Sequence, residues 1–239
     1  MNDRKIIIRH KIEQIKDIVE KVSKKSTQDP SRVKIMAVSK TMPVDDIVIA
    51  LECGIQLIGE NMVQEAQIKY PPIKEVMQLK GATFHFIGHL QSNKAKLAAE
   101  LFDSIDSIDK IRTADKLNAC ANEKNKKLKC LIQANVAKEN TKYGADEDDI
   151  RNIVKAVATM TSLEIQGFFA IPPYSEDPEQ SRIYFRSLRM LRDTVQREFP
   201  HLNLSELSMG MSHDYHVAIE EGATIIRIGQ GIFGEREKK

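Results

Sequence analysis

A regular alternation of short apolar runs with amphipathic segments is the feature that most constrains the fold. Each run has the length and β-branched content of a buried strand, and a helical pattern follows it before the next run begins. The predicted strands begin near residues 33, 56, 83, 102, 128, 163, 204 and 224. Strict alternation predicts parallel strands with helical crossovers, and eight such strands suit a closed (β/α)8 TIM barrel of the α/β class. An open doubly wound sheet is the alternative.

An additional helix is predicted before the first strand, over residues 5–24. Its apolar residues recur at helical spacing, with Lys and Glu between them; they are Ile8, Ile12, Ile15, Val19 and Val22. Because about ten residues follow the eighth strand, we expect residues 1–239 to form a single domain.

Two local signals set helix boundaries within this pattern. The pair Pro71-Pro72 predicts the end of the helix that starts at Met62, since proline removes a backbone donor and clashes with the preceding turn. Asp109 is the predicted N-cap of a helix that runs to about residue 123.

Composition excludes several partners and compartments. The chain has 36 basic and 34 acidic residues and a net charge of +2, which gives no electrostatic footprint for nucleic acid or an anionic membrane. Cys53, Cys120 and Cys130 are odd in number and lack metal-ligand spacing, as expected for free thiols in a reducing compartment. No signal peptide or membrane span is evident. We therefore expect a cytoplasmic protein. We also expect a monomer.

A lysine follows the first predicted strand directly. In Val33-Lys34-Ile35-Met36-Ala37-Val38-Ser39-Lys40 the strand ends next to Lys40, and Pro43 opens the following helix. Ligands of parallel α/β proteins bind at this end of the strands. A lysine that loses its proton there becomes an amine nucleophile toward an aldehyde or ketone. The alternative is a lysine that only covers the strand end.

Closure of the barrel would bring the last strands beside the first. Arg227 lies on the eighth strand and therefore next to the strand of Lys40. The usual phosphate site of such barrels is built from the loops after strands seven and eight, here 208–213 and 229–234. Both loops are rich in Gly and Ser, whose backbone amides can approach an anion closely. Ser212 is the predicted N-cap of a helix over 213–221. An amine, a phosphate cradle and an arginine together predict a site for a phosphorylated aldehyde.

Two other kinds of motif do not predict a binding site. The segment 229–234 matches G-x-G-x-x-G, but a dinucleotide fold needs a further helix, strand and acidic residue. The pairs His85 with His89, and His213 with His216, lack an obvious third metal ligand, so no metal is expected.

Two shorter motifs have either a local structural role or a role in a site. Glu60-Asn61 follows the second strand and is either an N-cap of the next helix or a ligand contact, and we include Asn61 among the expected cofactor contacts. Lys142-Tyr143-Gly144 is interpreted as a turn.

Five blocks of the sequence resemble one protein family in their residues and in their order along the chain. The blocks are Val38-Ser-Lys40, Gly59-Glu-Asn-Met-Val-Gln-Glu65, His85-Phe-Ile-Gly-His-Leu-Gln-Ser-Asn-Lys94, Ser208-Met-Gly-Met-Ser212 and Arg227-Ile-Gly-Gln-Gly-Ile-Phe-Gly234. They are similar to the signature blocks of the YggS/PROSC family, the pyridoxal 5′-phosphate (PLP) homeostasis proteins, and they cover essentially the whole chain after the first helix.

The resemblance implies a fold, a cofactor and roles for the site residues. It implies a single (β/α)8 barrel similar to the N-terminal domain of alanine racemase, with PLP held as an aldimine on Lys40. Ser212 and the backbone of Gly229 and Gln230 would hold the phosphate, and Arg227 would face the pyridine nitrogen. Gln230 replaces a common Thr, which keeps a backbone contact but removes a hydroxyl. Phe84 replaces a common Trp and Met62 a common Tyr.

The function implied is a PLP-binding protein of intracellular PLP homeostasis and delivery. Arginine only donates hydrogen bonds, so a pyridine nitrogen facing Arg227 would stay unprotonated and PLP would be a weak electron sink. A racemase also needs a second acid/base on the opposite face of the cofactor. We expect no second domain that could supply it, and His85 and Tyr174 are poor substitutes. We expect a carrier that is not an enzyme, with apo PLP-dependent enzymes as recipients. A weak amino-acid racemase or lyase is the alternative, and a Schiff-base aldolase without PLP is a third hypothesis.

Overall fold

The computed structural model describes residues 2–137 and 143–235, and a closed barrel of parallel strands lies at its centre. The strands are β1 (Lys34–Val38), β2 (Leu57–Glu60), β3 (Thr83–Phe86), β4 (Ser104–Ile108), β5 (Leu128–Gln133), β6 (Leu163–Phe169), β7 (Glu206–Met211) and β8 (Ile225–Ile228). Each strand starts within two residues of its predicted position. The predicted (β/α)8 barrel is therefore confirmed.

The barrel closes between its first and last strands. β1 pairs in parallel with β8, with Lys34 opposite Ile225 and Met36 opposite Arg227. The other strands pair with their neighbours in chain order. An open doubly wound sheet would leave two edge strands, so that alternative is wrong. Because all strands are parallel, their carboxyl ends meet at one mouth of the barrel.

Helices cover the outside of the barrel and pack their apolar faces against it. Those in the described part of the chain are α1 (Asn2–Lys25), α2 (Val44–Glu52), α3 (Val63–Lys80), α4 (Ala95–Leu101), α5 (Ile111–Glu123), α6 (Glu147–Val157), α7 (Arg182–Glu198), α8 (Tyr215–Glu220) and α9 (Gln230–Phe233). Short 3-10 turns precede α4 and α7, at Ser92–Lys94 and Pro178–Ser181. Since successive strand side chains point to opposite faces, the larger core lies between strands and helices. A smaller apolar cluster fills the barrel interior; it contains Met36, Leu131, Phe169 and Ile225.

The N-terminal helix α1 lies across the outside of the closing seam. It packs against α2, which follows β1, and against α8 and α9, which flank β8. Arg4 pairs with the buried carboxylate of Asp46 in α2 and donates to the carbonyl oxygen of Phe233 in α9 at 2.8 Å. One side chain thus links the helices on either side of the seam. α1 has 24 residues, but neither it nor any other described helix is long and apolar enough to cross a bilayer.

The helix α3 continues through Pro71 and Pro72, so the predicted break is wrong. Each proline costs a helix interior about 3 kcal/mol because it removes a hydrogen bond and crowds the preceding turn. Both prolines are on the exposed side of α3, where water can hydrate the carbonyl groups that lose their partners. Ile73 and Met77, beyond the prolines, are buried in the core. Their burial offsets the local cost, and the helix ends only at Gly81, which has a φ of +61°.

The predicted N-cap at Asp109 is also wrong. α5 begins at Ile111, its N-cap residue is Lys110, and no side chain caps it. The carboxylate of Asp109 is buried and lies 3.8 Å from Nδ1 of His89 instead. The carboxylate therefore faces a histidine of the neighbouring loop rather than the start of its own helix.

Thiol reactivity provides a test of the closed barrel. Cys130 on β5 is fully buried, and burial raises the pKa of its thiol far above the ordinary value, whereas Cys53 and Cys120 are half-buried. Because the thiolate is the reactive form, we expect iodoacetamide to label Cys53 and Cys120 in the native protein and Cys130 only after denaturation. Peptide mass spectrometry with and without urea measures this. Labelling of Cys130 as fast as Cys53 in the native protein would contradict a closed barrel.

Candidate functional site

A cavity of about 460 Å³ lies at the mouth where the strands end. Small-molecule sites in proteins measure about 300–1,000 Å³, so the cavity has the size of a ligand site. All six residues predicted from the sequence line it; they are Lys40, Asn61, Ser212, Arg227, Gly229 and Gln230. Residues separated by up to 190 positions are thus brought together, as expected from barrel closure.

Lys40 is placed by the turn that follows β1. Ser39 continues the strand pairing, because its amide donates to the carbonyl of Gly59 at 2.9 Å. Lys40 begins the turn and is half-buried, and Thr41 then adopts the left-handed region with a φ of +65°. The strand fixes the main chain up to Ser39, and the turn directs the side chain of Lys40 to the cavity wall.

Arg227 is buried on β8 and faces the same cavity. Its guanidinium donates to Oγ of Ser208 at 3.0 Å and to the carbonyl oxygen of Ala170 at 2.8 Å, and it lies 4.3 Å from the ring centre of Phe169. Burial lowers the pKa of Arg227 to about 10, although the charges of Asp106 and Asp214 act in the opposite direction. The side chain therefore remains a cation at neutral pH, bonded to uncharged groups.

Ser212 does not cap a helix, so that part of the prediction is wrong. α8 begins at Tyr215 after Asp214, whose carboxylate accepts from the amide of Met211 at 2.7 Å. Oγ of Ser212 instead accepts a hydrogen bond from the amide of Gly231 at 3.2 Å. This bond ties the loop after β7 to the turn after β8. A hydroxyl group that accepts one bond still carries a hydrogen that it can donate to an anion.

Glu60 and Asn61 have different roles. Asn61 lines the cavity, and its carbonyl oxygen would be only 2.0 Å from a Cβ at position 88, so Gly88 is what permits this close approach of the two loops. Glu60 is completely buried and neither caps α3, whose N-cap residue is Met62, nor lines the cavity. Its carboxylate accepts from Oγ of Ser39 and from Nζ of Lys69.

Aromatic side chains that the sequence did not predict as ligand contacts form part of the rim. The ring of His89 stacks on that of Tyr143, with centres 3.8 Å apart and planes 12° apart, and both line the cavity. Tyr143 belongs to the motif interpreted as a turn; its neighbour Lys142 lies outside the described residues. Tyr174 also lines the cavity but is 78% exposed. Their positions in the sequence could have identified them, because each residue follows the carboxyl end of a predicted strand.

His85 is kept away from the cavity by its own hydrogen bonds. Nδ1 lies 3.0 Å from the buried carboxylate of Asp106, and Nε2 lies 3.0 Å from Oγ1 of Thr83. Its ring lines a small cavity near the start of the strands, together with Lys34 and Glu206. In the described ranges, no group of three or more His, Cys, Asp and Glu residues is arranged to hold a metal ion.

The comparisons with known proteins agree on one family. The model of the alanine racemase N-terminal domain matches residues 10–237. The pyridoxal phosphate homeostasis protein of Aquifex aeolicus is 38% identical over 227 residues, which is 95% of this chain and 97% of that protein. The protein of the same name from Escherichia coli K12 is 37% identical over 238 residues, 99% of this chain and 98% of that protein.

A solved structure extends the likeness to three dimensions. PipY of Synechococcus elongatus, whose structure is described as having PLP bound, is 35% identical and matches with a TM-score of 0.79, over 91% of this chain and 100% of that one. The family model spans most of the chain, and the relatives match over nearly their full length. This chain therefore belongs to the pyridoxal phosphate homeostasis protein family.

Proposed function

We propose that this protein binds PLP in the cavity at the barrel mouth, holds it as an aldimine on Lys40, and serves intracellular PLP homeostasis and delivery. The observation that carries the proposal is the presence of an amine, a buried cation and a hydroxyl-bearing loop on one cavity of suitable size. PLP offers an aldehyde, a pyridine nitrogen and a phosphate, which are complementary to these groups. A relative that is 35% identical is described with PLP bound.

The covalent step needs only the lysine and the ligand. The neutral amine of Lys40 would add to the aldehyde carbon, and the carbonyl oxygen would leave with the two amine hydrogens as one water molecule when the C=N bond forms. The reverse reaction, addition of water, releases the ligand. A carrier can therefore bind and release PLP at this residue without any other reactant.

The phosphate is proposed to lie against Ser212 and the backbone of Gly229 and Gln230. These residues line the cavity beside one another, and the hydrogen bond between Ser212 and Gly231 holds the two loops together. A Cβ at position 231 would lie 2.7 Å from a methyl carbon of Ile228, so the turn requires glycine there to stay tight. Asn61, which follows β2 and lines the same cavity, is proposed as a further contact.

We further propose that the protein is a carrier that is not an enzyme, acting as a cytoplasmic monomer. Arg227 donates but does not accept hydrogen bonds, so a pyridine nitrogen that faces it stays unprotonated and stabilises a carbanion weakly. His85 is bonded to Asp106 away from the cavity, and Tyr174 is largely exposed to water. The exposed rim also favours exchange of the ligand with apo PLP-dependent enzymes.

The first test is the site of attachment. Incubation with PLP and reduction with borohydride should fix one ligand mass on a peptide that contains Lys40, and Lys40→Ala should abolish the label without unfolding the protein. Lys155→Ala, which changes an exposed lysine on α6, serves as the matched control and should be labelled like the wild type. Label on another lysine in the wild type would contradict the assignment. Labelling by a sugar-phosphate aldehyde but not by PLP would favour the aldolase hypothesis.

The second test is phosphate capture. Ser212→Ala removes a hydroxyl donor to a charged acceptor, an interaction of about 1.5–3 kcal/mol, so the affinity for PLP should fall by roughly one to two decades. Equilibrium dialysis with PLP and with pyridoxal, which lacks the phosphate, separates this loss from general damage. Ser187→Ala, on the exposed face of α7, should leave both affinities unchanged. An equal fall for pyridoxal would show that Ser212 does not contact the phosphate.

The third test is catalysis. Loaded protein incubated with each common L- and D-amino acid should show no racemisation, decarboxylation or transamination at ordinary turnover, about 1–1,000 per second. PLP should instead pass to an apo-enzyme that is mixed with the loaded protein. Turnover of one amino acid that Lys40→Ala abolishes would support the racemase or lyase alternative and overturn the carrier function.

A further inference from the structure

Three charged side chains are packed beneath the turn that carries Lys40, outside the cavity. They are Glu60 at the end of β2 and Glu65 and Lys69 on α3, and their side chains are 0%, 23% and 9% exposed. None of them lines the ligand cavity. The proposed function assigns no role to these three side chains.

The ammonium group of Lys69 is fully engaged at the centre of this cluster. Its Nζ donates to the carbonyl oxygen of Ser39 at 2.6 Å, to Oε2 of Glu60 at 3.1 Å and to Oε1 of Glu65 at 2.5 Å. An ammonium group has three hydrogens, so these bonds use all of its donors. Oγ of Ser39 adds a fourth link, since it donates to Oε2 of Glu60 at 3.0 Å.

The cluster holds the peptide groups on both sides of Lys40. The carbonyl of Ser39, bonded to Lys69, belongs to the peptide unit that precedes Lys40. The amide of Thr41 belongs to the peptide unit that follows, and it donates to Oε1 of Glu65 at 2.6 Å. The main chain of the lysine is thus fixed before and after its Cα by two side chains one turn apart on α3.

The turn needs such support because its conformation is unfavourable. Thr41 has a φ of +65°, a region that β-branched residues rarely adopt. Conformations of this kind persist where the surroundings hold them. Two bonds hold this one: the amide of Thr41 donates to Glu65, and the amide of Met42 donates to the carbonyl oxygen of Ser39 at 2.9 Å, the same oxygen that Lys69 binds.

A contribution to stability alone is a weak explanation for these charges. Removing ions from water is costly, and apolar groups of similar size often stabilise a buried site as well or better. The cost is visible at Glu60, where burial is the main cause of a pKa raised above the ordinary value. Apolar side chains could fill the same space, but they could not hold the carbonyl of Ser39 and the amide of Thr41.

We propose that Glu60, Glu65 and Lys69 form a positioning network that fixes the turn of Lys40 so that its amine meets the ligand aldehyde in the cavity. The proposal rests on the proposed function, and it assigns to α3 a role in bond formation although none of the three side chains contacts the ligand. Binding of the phosphate and ring depends on other loops, so the network should affect the covalent step selectively.

The experiment compares capture with binding in matched variants. Lys69→Met removes the three donors but keeps an unbranched side chain, and Lys74→Met changes an exposed lysine of the same helix as the control. Capture is measured as the fraction of Lys40 fixed by borohydride against time after mixing with PLP. Binding without a covalent bond is measured with pyridoxine 5′-phosphate, an alcohol that cannot form the C=N bond. Thermal unfolding shows that each variant is folded.

We expect Lys69→Met to slow capture by about 10- to 100-fold, since displacement of a reacting group by about 1 Å has effects of this size. Its affinity for pyridoxine 5′-phosphate should stay close to that of the wild type, and Lys74→Met should match the wild type in both measurements. Capture at the wild-type rate by folded Lys69→Met would overturn the proposal. An equal loss of both properties would also overturn it, because it would indicate general damage to the cavity.

A second pair of variants decides the matter if Lys69→Met does not fold. Glu65→Gln keeps an oxygen acceptor for the amide of Thr41, whereas Glu65→Ala removes it. The rate of capture should therefore fall less in Glu65→Gln than in Glu65→Ala. Hydrogen exchange at the Thr41 amide, measured without ligand, should accelerate in Glu65→Ala. Unchanged exchange and capture in Glu65→Ala would contradict the network. Failure of the wild type to be labelled at Lys40 would instead overturn the proposed function itself.

Discussion

The pairing of β1 with β8 is the constraint on which the rest of the molecule depends. It removes the two sheet edges that an open arrangement would expose, and it places Met36 opposite Arg227. Only this closure makes the first and last strands neighbours, so that the turn of Lys40 and the loops of Ser212 and Gly229 share one cavity. The helix α1 supports the seam from outside, because Arg4 bonds to α2 on one side and α9 on the other. The additional helix is therefore part of what keeps the site assembled.

The alternation of strands and helices made the barrel predictable, and the barrel in turn predicted which residues would meet. A run such as Ile35–Val38 is continuously apolar, and a strand of a closed barrel is buried on both faces, so the local pattern and the tertiary environment agree. The six residues proposed for the site follow from strand ends in the same way. Where pattern and environment conflict, the local signal failed. Pro71 and Pro72 predict a break, but burial of Ile73 and Met77 carries α3 past them.

The contacts that sequence could not predict are those that cross between loops. Ser212 has the residue type and position of a helix cap, yet its oxygen accepts from Gly231 in α9, 19 residues away. Tyr143 and His89 meet as stacked rings although they are far apart in the chain. The partners of Lys69 belong to two strand ends and one helix. Each of these depends on side-chain directions around the barrel mouth, which periodicity does not specify.

The buried charges in the cavity and those beneath Lys40 have different partners. This difference suits a protein that binds and releases a ligand. Arg227 is buried against a hydroxyl, a carbonyl and a ring, and burial lowers its pKa. A cation held by uncharged partners in a desolvated site gains stability when a ligand brings a lone pair or a negative charge to it. Beneath Lys40 two carboxylates instead share one ammonium group, so this cluster does not attract an anionic ligand, and we assign it to the geometry of the turn. The rim is open to water, with Tyr143 and Tyr174 largely exposed. In the proposed function, affinity would then depend on Arg227, the loops of Ser212 and Gly229 and one reversible bond to Lys40, and water reaching that bond would be sufficient for release.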